Sequence, residues 1–284
     1  MSDGFVVVDK PAGPTSHDVV DLVRRATGTR RVGHAGTLDP FASGVLPLLA
    51  GRATRLVSYL VGLAKHYAGV LRLGVTTDSD DRTGTVLRVD AGWQAVADET
   101  LAEAMAALTG RQSQRPPIYS ARKIGGVPAH RRVRRGQDVS LPARDVTVHA
   151  FACTGRDGQD IAFTAHVSSG TYVRALARDL GERLGCGAHL LELRRTAVGP
   201  WTEQDAVPLD RVVPPFALAP ALAAVPHLPQ RALDADEALG VRHGRTVSAG
   251  DAEDGPWALL ENGALLAVAE RQGHQLVPRV VLAG

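Results

Sequence analysis

The 284-residue chain is poor in several things that usually give a protein away. It has two cysteines, 4% aromatic residues, and almost no charge excess, with 32 Lys and Arg against 30 Asp and Glu. Cys153 and Cys186 lie far apart and form no Cys-x-x-Cys pair, which argues against a disulfide scaffold and a zinc site. Both read as buried reduced thiols. A net charge of +2 excludes a polybasic arm that grips nucleic acid indiscriminately. Long apolar runs are missing as well. The most apolar stretch, 212–226, carries Pro214, Pro215, Pro220 and Pro226 and cannot form a spanning helix. Met1-Ser2-Asp3-Gly4 is no basic leader, and Phe5-Val6-Val7-Val8 is too short for a signal peptide, so the expectation is a cytoplasmic protein with no membrane partner. Walker A, Gly-x-Gly-x-x-Gly and Gly-x-Ser-x-Gly patterns are lacking, which leaves Ser168 and Ser169 without a hydrolase context. No metal is expected.

What is present suits a soluble globular chain, 44% apolar and 22% charged, long enough for one large domain and a small appendix. Residues 5–9 read as a buried strand, ended by Asp9-Lys10-Pro11-Ala12-Gly13-Pro14. Ser16 is a candidate N-cap for a short helix with Val19, Val20, Leu22 and Val23 on its apolar face. Residues 30–40 are loop-like, and 52–64 helical. Residues 65–74 alternate as a strand with Tyr67, Gly69, Leu71 and Leu73 on one face. A polar loop, 76–84, leads into a strand at 85–89, and 98–108 is a capped amphipathic helix. Strands at 146–152 and 161–167, a helix at about 172–184 and a strand at 190–196 follow. This irregular mixture predicts an α+β fold. A proline-rich linker at 209–229 precedes a small β-rich module at 230–284.

The densest signal is Gly33-His34-Ala35-Gly36-Thr37-Leu38-Asp39-Pro40-Phe41-Ala42-Ser43-Gly44-Val45-Leu46. Glycines let the backbone approach a ligand, and Pro40 fixes the chain just after the carboxylate. So presented, Asp39 can serve as nucleophile or general base, although an Asp-Pro in a glycine-rich loop is also an ordinary turn. His34 alone reads equally well as a structural hydrogen-bonder. Further segments stand out in order: Val7-Val8-Asp9-Lys10-Pro11 with Thr15-Ser16-His17, Lys65-His66-Tyr67 with Arg72-Leu73-Gly74, Ser168-Ser169-Gly170-Thr171-Tyr172-Val173-Arg174, and Leu193-Arg194-Arg195-Thr196.

Together these segments, spanning about residues 5–200, resemble the TruB family of tRNA pseudouridine synthases. The resemblance implies a pseudouridine synthase catalytic fold, a mixed and mostly antiparallel sheet flanked by helices and loops, over residues 1–208. It also implies a reaction: uridine 55 in the T-loop of tRNA is flipped out, its N1 glycosidic bond is cut, and the uracil is rejoined through C5. The reaction so implied needs no external cofactor. Asp39 is then the essential carboxylate, acting at ribose C1′ or at the uracil ring. Arg174 is its candidate partner, and a partner of Asp81, and a neighbouring arginine keeps a carboxylate ionised. Tyr67 completes the catalytic set by stacking on the flipped uracil, with Leu193 on the other side of the base pocket. His34 would fill the space the nucleotide leaves, and Lys10 and Tyr172 fall among the RNA contacts. The family's habit is a monomer with tRNA as partner and no obligatory protein partner. A silent RNA-binding scaffold would predict a lost aspartate, yet Asp39, Tyr67 and Arg174 are all present.

Charge is distributed unevenly. Residues 104–137 hold no acid but eight basic residues, Arg111, Arg115, Arg122, Lys123, Arg131, Arg132, Arg134 and Arg135. Such a run is a phosphate-binding footprint. It resembles the family's insertion that clamps the T-arm, here about 111–137. Residues 230–284 occupy the place of an RNA-binding PUA domain, but their net charge of −3 makes a poor general phosphate binder. Arg242 and Arg245 mark the candidate contact patch there.

Overall fold

The computed structural model describes residues 3–119 and 141–282, and between them the backbone of 123–124 and 127–128. In chain order, β1 (Gly4–Lys10), α1 (Ser16–Thr27), β2 (Val32–His34), β3 (Ser43–Ala50) and α2 (Val57–Val61) come first. There follow β4 (Lys65–Leu73), β5 (Val75–Thr77), β6 (Val86–Val89), α3 (Asp98–Ala106) and β7 (Gly110–Gln114). The short strands β8 (Lys123–Ile124) and β9 (Val127–Pro128) precede β10 (Arg144–Asp157), β11 (Asp160–Val167), α4 (Val173–Arg183) and β12 (Ala188–Val198). Contacts group the chain into two compact units, 1–40 with 44–63 and 198–284, and 41–43 with 64–197.

In the first unit β3 is antiparallel to both β1 and β2, with Leu48 opposite Val6 and His34. The loop expected over 30–40 thus contains a three-residue strand, because the edge of β3 offers Val32 to His34 a ladder that local sequence does not reveal. Helix α1 starts one residue earlier than expected. Thr15, not Ser16, is the cap, since Asp18 lies three residues on and closes a reciprocal capping box. Gly28, at φ 67°, ends the helix in the left-handed region. The helical stretch near 52–64 is a 3-10 turn, Gly51–Leu56, running into α2.

The proline-rich segment packs closely on β1. Val207 pairs with Val8 in parallel, and Phe5 and Ala219 exchange two backbone hydrogen bonds of 2.9 Å. Val225 and Leu228 join Phe5, Val7, Leu49, Leu60 and Trp201 in one buried cluster, in which the Phe5 and Trp201 rings lie 5.0 Å apart. The C-terminal residues form a five-stranded sheet. Its three longest strands, Pro256–Glu261, Ala264–Gln272 and Gln275–Val281, are joined in sequence, and helix α5 (Ala235–Arg242) covers Leu259, Leu266 and Leu276. Asn262 and Gly263, at φ 50° and 77°, make the tight hairpin turn that an Asn-Gly pair favours.

The second unit is built on the strand order β12-β4-β11-β10-β7. Strand β11 is antiparallel to both β4 and β10, and β10 to β7. Tyr67, Leu71 and Leu73 of β4 point to the buried face, as the alternation predicts. Helix α3 has Ala97 as its first flanking residue, which offers no side-chain cap, so the expected cap is replaced by acidic residues at the positive helix end, Asp98 and Glu99. Cys186 is buried as expected, but Cys153 is exposed, on the outer reach of β10 beyond the covered part of the sheet.

Gly69 lies between Tyr67 and Leu71 on β4, with β12 packed tightly against it. A Cβ there would sit 2.4 Å from the carbonyl oxygen of Glu192 and 2.9 Å from the ring of Phe163. Gly69→Ala is expected to cost about 1–3 kcal/mol, as overpacking does. Equilibrium denaturation checks this, and an unchanged midpoint would mean that the strands have room to part.

Candidate active site

The loop bearing Asp39 belongs to the first unit and is held from both sides. With Thr15 as the helix cap, the buried Ser16 hydroxyl is available to accept from Leu38 N–H at 2.8 Å and donate to Leu38 C=O at 3.0 Å. On the other side the Pro40 carbonyl accepts from Gly13 N–H at 2.7 Å and from Lys10 Nζ at 3.4 Å. The residues flanking Asp39 are therefore fixed, and Asp39 itself is half-buried between them. Gly36, at φ 127°, supplies the left-handed turn that no side-chain-bearing residue takes readily. His34 Nδ1 accepts from Gly36 N–H at 3.3 Å, which ties the ring to the turn.

Lys10 holds this loop from inside the fold. It is fully buried, and its ammonium donates to the carbonyls of Pro11 and Pro14 at 2.8 Å each as well as to Pro40. A buried cation must find acceptors, and here the carbonyls of a proline-rich turn provide them. Lys10 is a support of the Asp39 loop.

Arg174 and Asp81 belong to the second unit and meet there as a buried ion pair. Arg174, in the first turn of α4, is 5% exposed, and its Nη1 donates to Asp81 Oδ2 at 3.0 Å and to the Ser79 carbonyl at 3.1 Å. Nη2 donates to the Tyr119 carbonyl at 2.9 Å. The other oxygen of Asp81 accepts from Ser79 Oγ at 2.9 Å, Thr83 N at 2.9 Å and Thr83 Oγ1 at 2.6 Å. Tyr172 flanks the start of α4. Its N–H and carbonyl are both taken by the amide of Gln114, at 2.8 and 3.1 Å.

Tyr67 and Leu193, 9% and 8% exposed, lie on β4 and β12, which are neighbours in the sheet. Two residues from each stand the buried bases Lys65 and Arg195. Burial, and then the charge of Arg195, push Lys65 down to about 8.

Sequence reasoning missed Ser16, Gln114, Asp80 and Arg178. The one available signal was the spacing of Arg174 and Arg178, i and i+4 on a helix, against the acid-rich run Asp78-Ser79-Asp80-Asp81. Of the basic run, Arg122, Lys123, Arg131, Arg132, Arg134 and Arg135 have side chains outside the described residues. Arg111 is described, and it pairs with Asp145 at 2.7 Å. In the C-terminal sheet Arg242 is paired with Glu261, so the expected patch there has one of its two charges offset. Among the described residues no cluster of His, Cys, Asp and Glu could hold a metal ion, and no helix is long and apolar enough to cross a membrane.

Comparison with known proteins fits this geometry. A family described as TruB family pseudouridylate synthase (N terminal domain) matches residues 24–173, and one described as tRNA pseudouridylate synthase B C-terminal domain matches 174–221. A relative from Thermobifida fusca (strain YX), tRNA pseudouridine synthase B, is 47% identical with both chains fully covered. Another of the same name, from Arthrobacter sp. (strain FB24), is 44% identical over 100% of this chain and 97% of its own. Among solved structures, the archaeal box H/ACA sRNP Nop10-Cbf5 complex contains a chain with TM-score 0.74 and 26% identity, covering 99% of this chain and 86% of that one. An H/ACA RNP bound to a substrate RNA containing 2′-deoxyuridine gives TM-score 0.74 at 25% identity, over 99% and 85%. The α+β architecture is thus the pseudouridine synthase fold, and the protein is an isomerase. More particularly, the chain belongs to the TruB family of pseudouridylate synthases.

Removing one partner of a buried ion pair strands the other. Asp81→Ala is therefore expected to destabilise by about 3–5 kcal/mol, and an added Arg174→Met to recover part of that loss. Urea denaturation of the single and double variants tests this, and equal losses in both would show that the charge left behind is not what costs stability.

Proposed function

We propose that the protein converts uridine 55 in the T-loop of tRNA to pseudouridine, without a cofactor. The observation that carries this reading is the Asp39 loop, a Gly-His-x-Gly-x-Leu-Asp-Pro sequence whose two residues beside the aspartate are tied down by Ser16, Gly13 and Lys10. Relatives named tRNA pseudouridine synthase B, similar over the whole chain, support tRNA as the substrate.

The target uridine leaves its stack, since an enzyme acting on a glycosidic bond must reach C1′ and N1. Its base lies between Tyr67 and Leu193, and stacking on the tyrosine contributes about 1–3 kcal/mol. His34 occupies the space that the flipped nucleotide leaves in the T-loop. Asp39 acts as a carboxylate on the bond between C1′ and N1, and Arg174 is the second charged member of the catalytic set. The uracil turns, C5 bonds to C1′, and the C5 proton is lost while N1 gains one, so the product is an isomer of the substrate.

Residues 1–208 do this chemistry. The basic insertion, Arg122 through Arg135, grips the T-arm as phosphate contacts, and Tyr172 lies beside the RNA at the start of α4. Residues 230–284 serve as a divergent PUA-like module, and the enzyme works as a cytoplasmic monomer.

Asp39→Asn is expected to abolish tritium release from T-arm RNA labelled at uridine C5 while RNA binding persists. Normal release by that variant would remove Asp39 from the mechanism, and no release by the wild-type protein would favour a silent RNA-binding scaffold. Replacing Arg131, Arg132, Arg134 and Arg135 with glutamine should weaken binding and flatten the dependence of log K on log salt by up to about 3, at somewhat under one unit per lost phosphate contact. An unchanged slope in a filter-binding titration would place the contacts elsewhere.

A further inference from the structure

One turn beyond Arg174, helix α4 carries a second arginine that the chemistry above does not use. Arg178 is largely buried, with 21% of its side chain exposed, and it bridges two segments. Its Nη1 donates to Asp80 Oδ2 at 3.1 Å, and its Nη2 to the carbonyl of Arg115 at 2.9 Å. Nη2 and Nε also donate to Asp179 Oδ1, at 2.7 and 3.0 Å, which fixes the fork against its own helix. Arg174 joins the same two segments, through Ser79 and Asp81 on one side and Tyr119 on the other. The two arginines thus form parallel rungs between the 78–81 loop and residues 115–119.

Asp80 is built for this contact. Its backbone lies at φ 61°, a conformation that aspartate and asparagine tolerate better than most residues. Its N–H donates to Thr77 at 3.3 Å, and its carbonyl accepts from Leu190 of β12 at 3.0 Å. That pinned turn directs one carboxylate, Asp80, to Arg178 and the next, Asp81, to Arg174.

We propose that Arg178 is a positioning residue of the isomerase: by clasping Asp80 and the carbonyl of Arg115, it sets the place of the 78–81 loop and so of the Arg174 guanidinium. This rests on the reading of Arg174 as part of the catalytic group. The charged groups around the Asp80–Arg178 contact are Arg174, Asp179 and Glu182 of α4, Arg115 after β7, and Asp78 and Asp81 of the loop itself. Asp78 is engaged by Thr85 N–H at 2.8 Å and the Tyr119 hydroxyl at 3.3 Å. Burial raises the Asp80 carboxyl to about 6, against the pull of Arg178 and Arg174. Above that pH the clasp is an ion pair. Below it Asp80 is neutral, Arg178 keeps its charge, and the clasp weakens.

Asp80→Asn isolates the charge, because asparagine keeps both the left-handed turn and a hydrogen-bonding oxygen. With a tRNA transcript as substrate, kcat of Asp80→Asn at pH 7.5 is expected to fall about fivefold to tenfold with KM within about twofold, as for a displaced catalytic group. Wild-type kcat should show an acid limb near pH 6 that Asp80→Asn lacks. Arg178→Gln should lose as much, and the double variant no more than the worse single one, since the two side chains act as a unit. A wild-type kcat in Asp80→Asn, an acid limb that persists in it, additive losses, or a loss confined to KM would each overturn the proposal. Should Arg178→Gln fail to fold, Arg178→Lys, which keeps the charge without the fork, takes its place and is expected to lose part of the activity. Arg174→Lys separates this inference from the reading beneath it. Full activity there would remove Arg174 itself, whereas a dead Arg174→Lys beside fully active Asp80 and Arg178 variants would remove only the clasp.

Discussion

The buried pair of Arg174 and Asp81 is the constraint around which the second unit is arranged. Withdrawing two charges from water costs several kcal/mol for each ion, and their mutual attraction offsets this only if the remaining lone pairs and protons also find partners. Much of the surrounding structure supplies those partners. Ser79 and Thr83 donate to the carboxylate oxygen that Arg174 leaves open, and Ser79 and Tyr119 turn carbonyls toward the guanidinium. The tight turn at 78–83 is the shape a chain takes when it must point so many polar atoms at one carboxylate. Gln114 does comparable work for the start of α4, using both ends of one amide on the backbone of Tyr172.

The first unit solves the same problem with different residues. Its irregular loop runs past the half-buried Asp39 without a sheet or helix to satisfy its backbone, so side chains do so: the Ser16 hydroxyl at Leu38 and the Lys10 ammonium at Pro40. In both units a carboxylate is presented by backbone whose polar groups are already spoken for. Each carboxylate is thereby held in place before anything binds, the preorganisation that lets an electrostatic group act without a reorganisation cost.

How much of this could be read from the sequence depended on the range of the interaction. The strand at β4 and the helix at α1 were legible because alternation and a 3.6-residue period are local consequences of burying one face. The three residues of β2 were not, since their only reason to be extended is the edge of β3. Ser16 was taken for the cap because its residue type suits one, and the choice of Thr15 turns on Asp18 completing the box. Lys10 illustrates the larger limit. A lysine in sequence suggests a surface charge, and only the convergence of three carbonyls, one of them thirty residues away, makes an interior position tenable. The Asp39 loop and the segments bearing Tyr67 and Arg174 stand out in the sequence as motifs, whereas the contact of Arg178 with Asp80, 98 residues apart, has no motif to announce it.

The scarcity of lysine has a consequence of its own. Of three lysines, Lys10 and Lys65 are interior, which leaves Lys123 and a surface whose positive charge is otherwise arginine. Guanidinium groups do not lose their proton in any pH range where a protein survives, and lysine acetyltransferases cannot neutralise them. Positive charge carried by arginine is therefore adjustable by ionic strength but not by the acylation that silences lysine-rich surfaces.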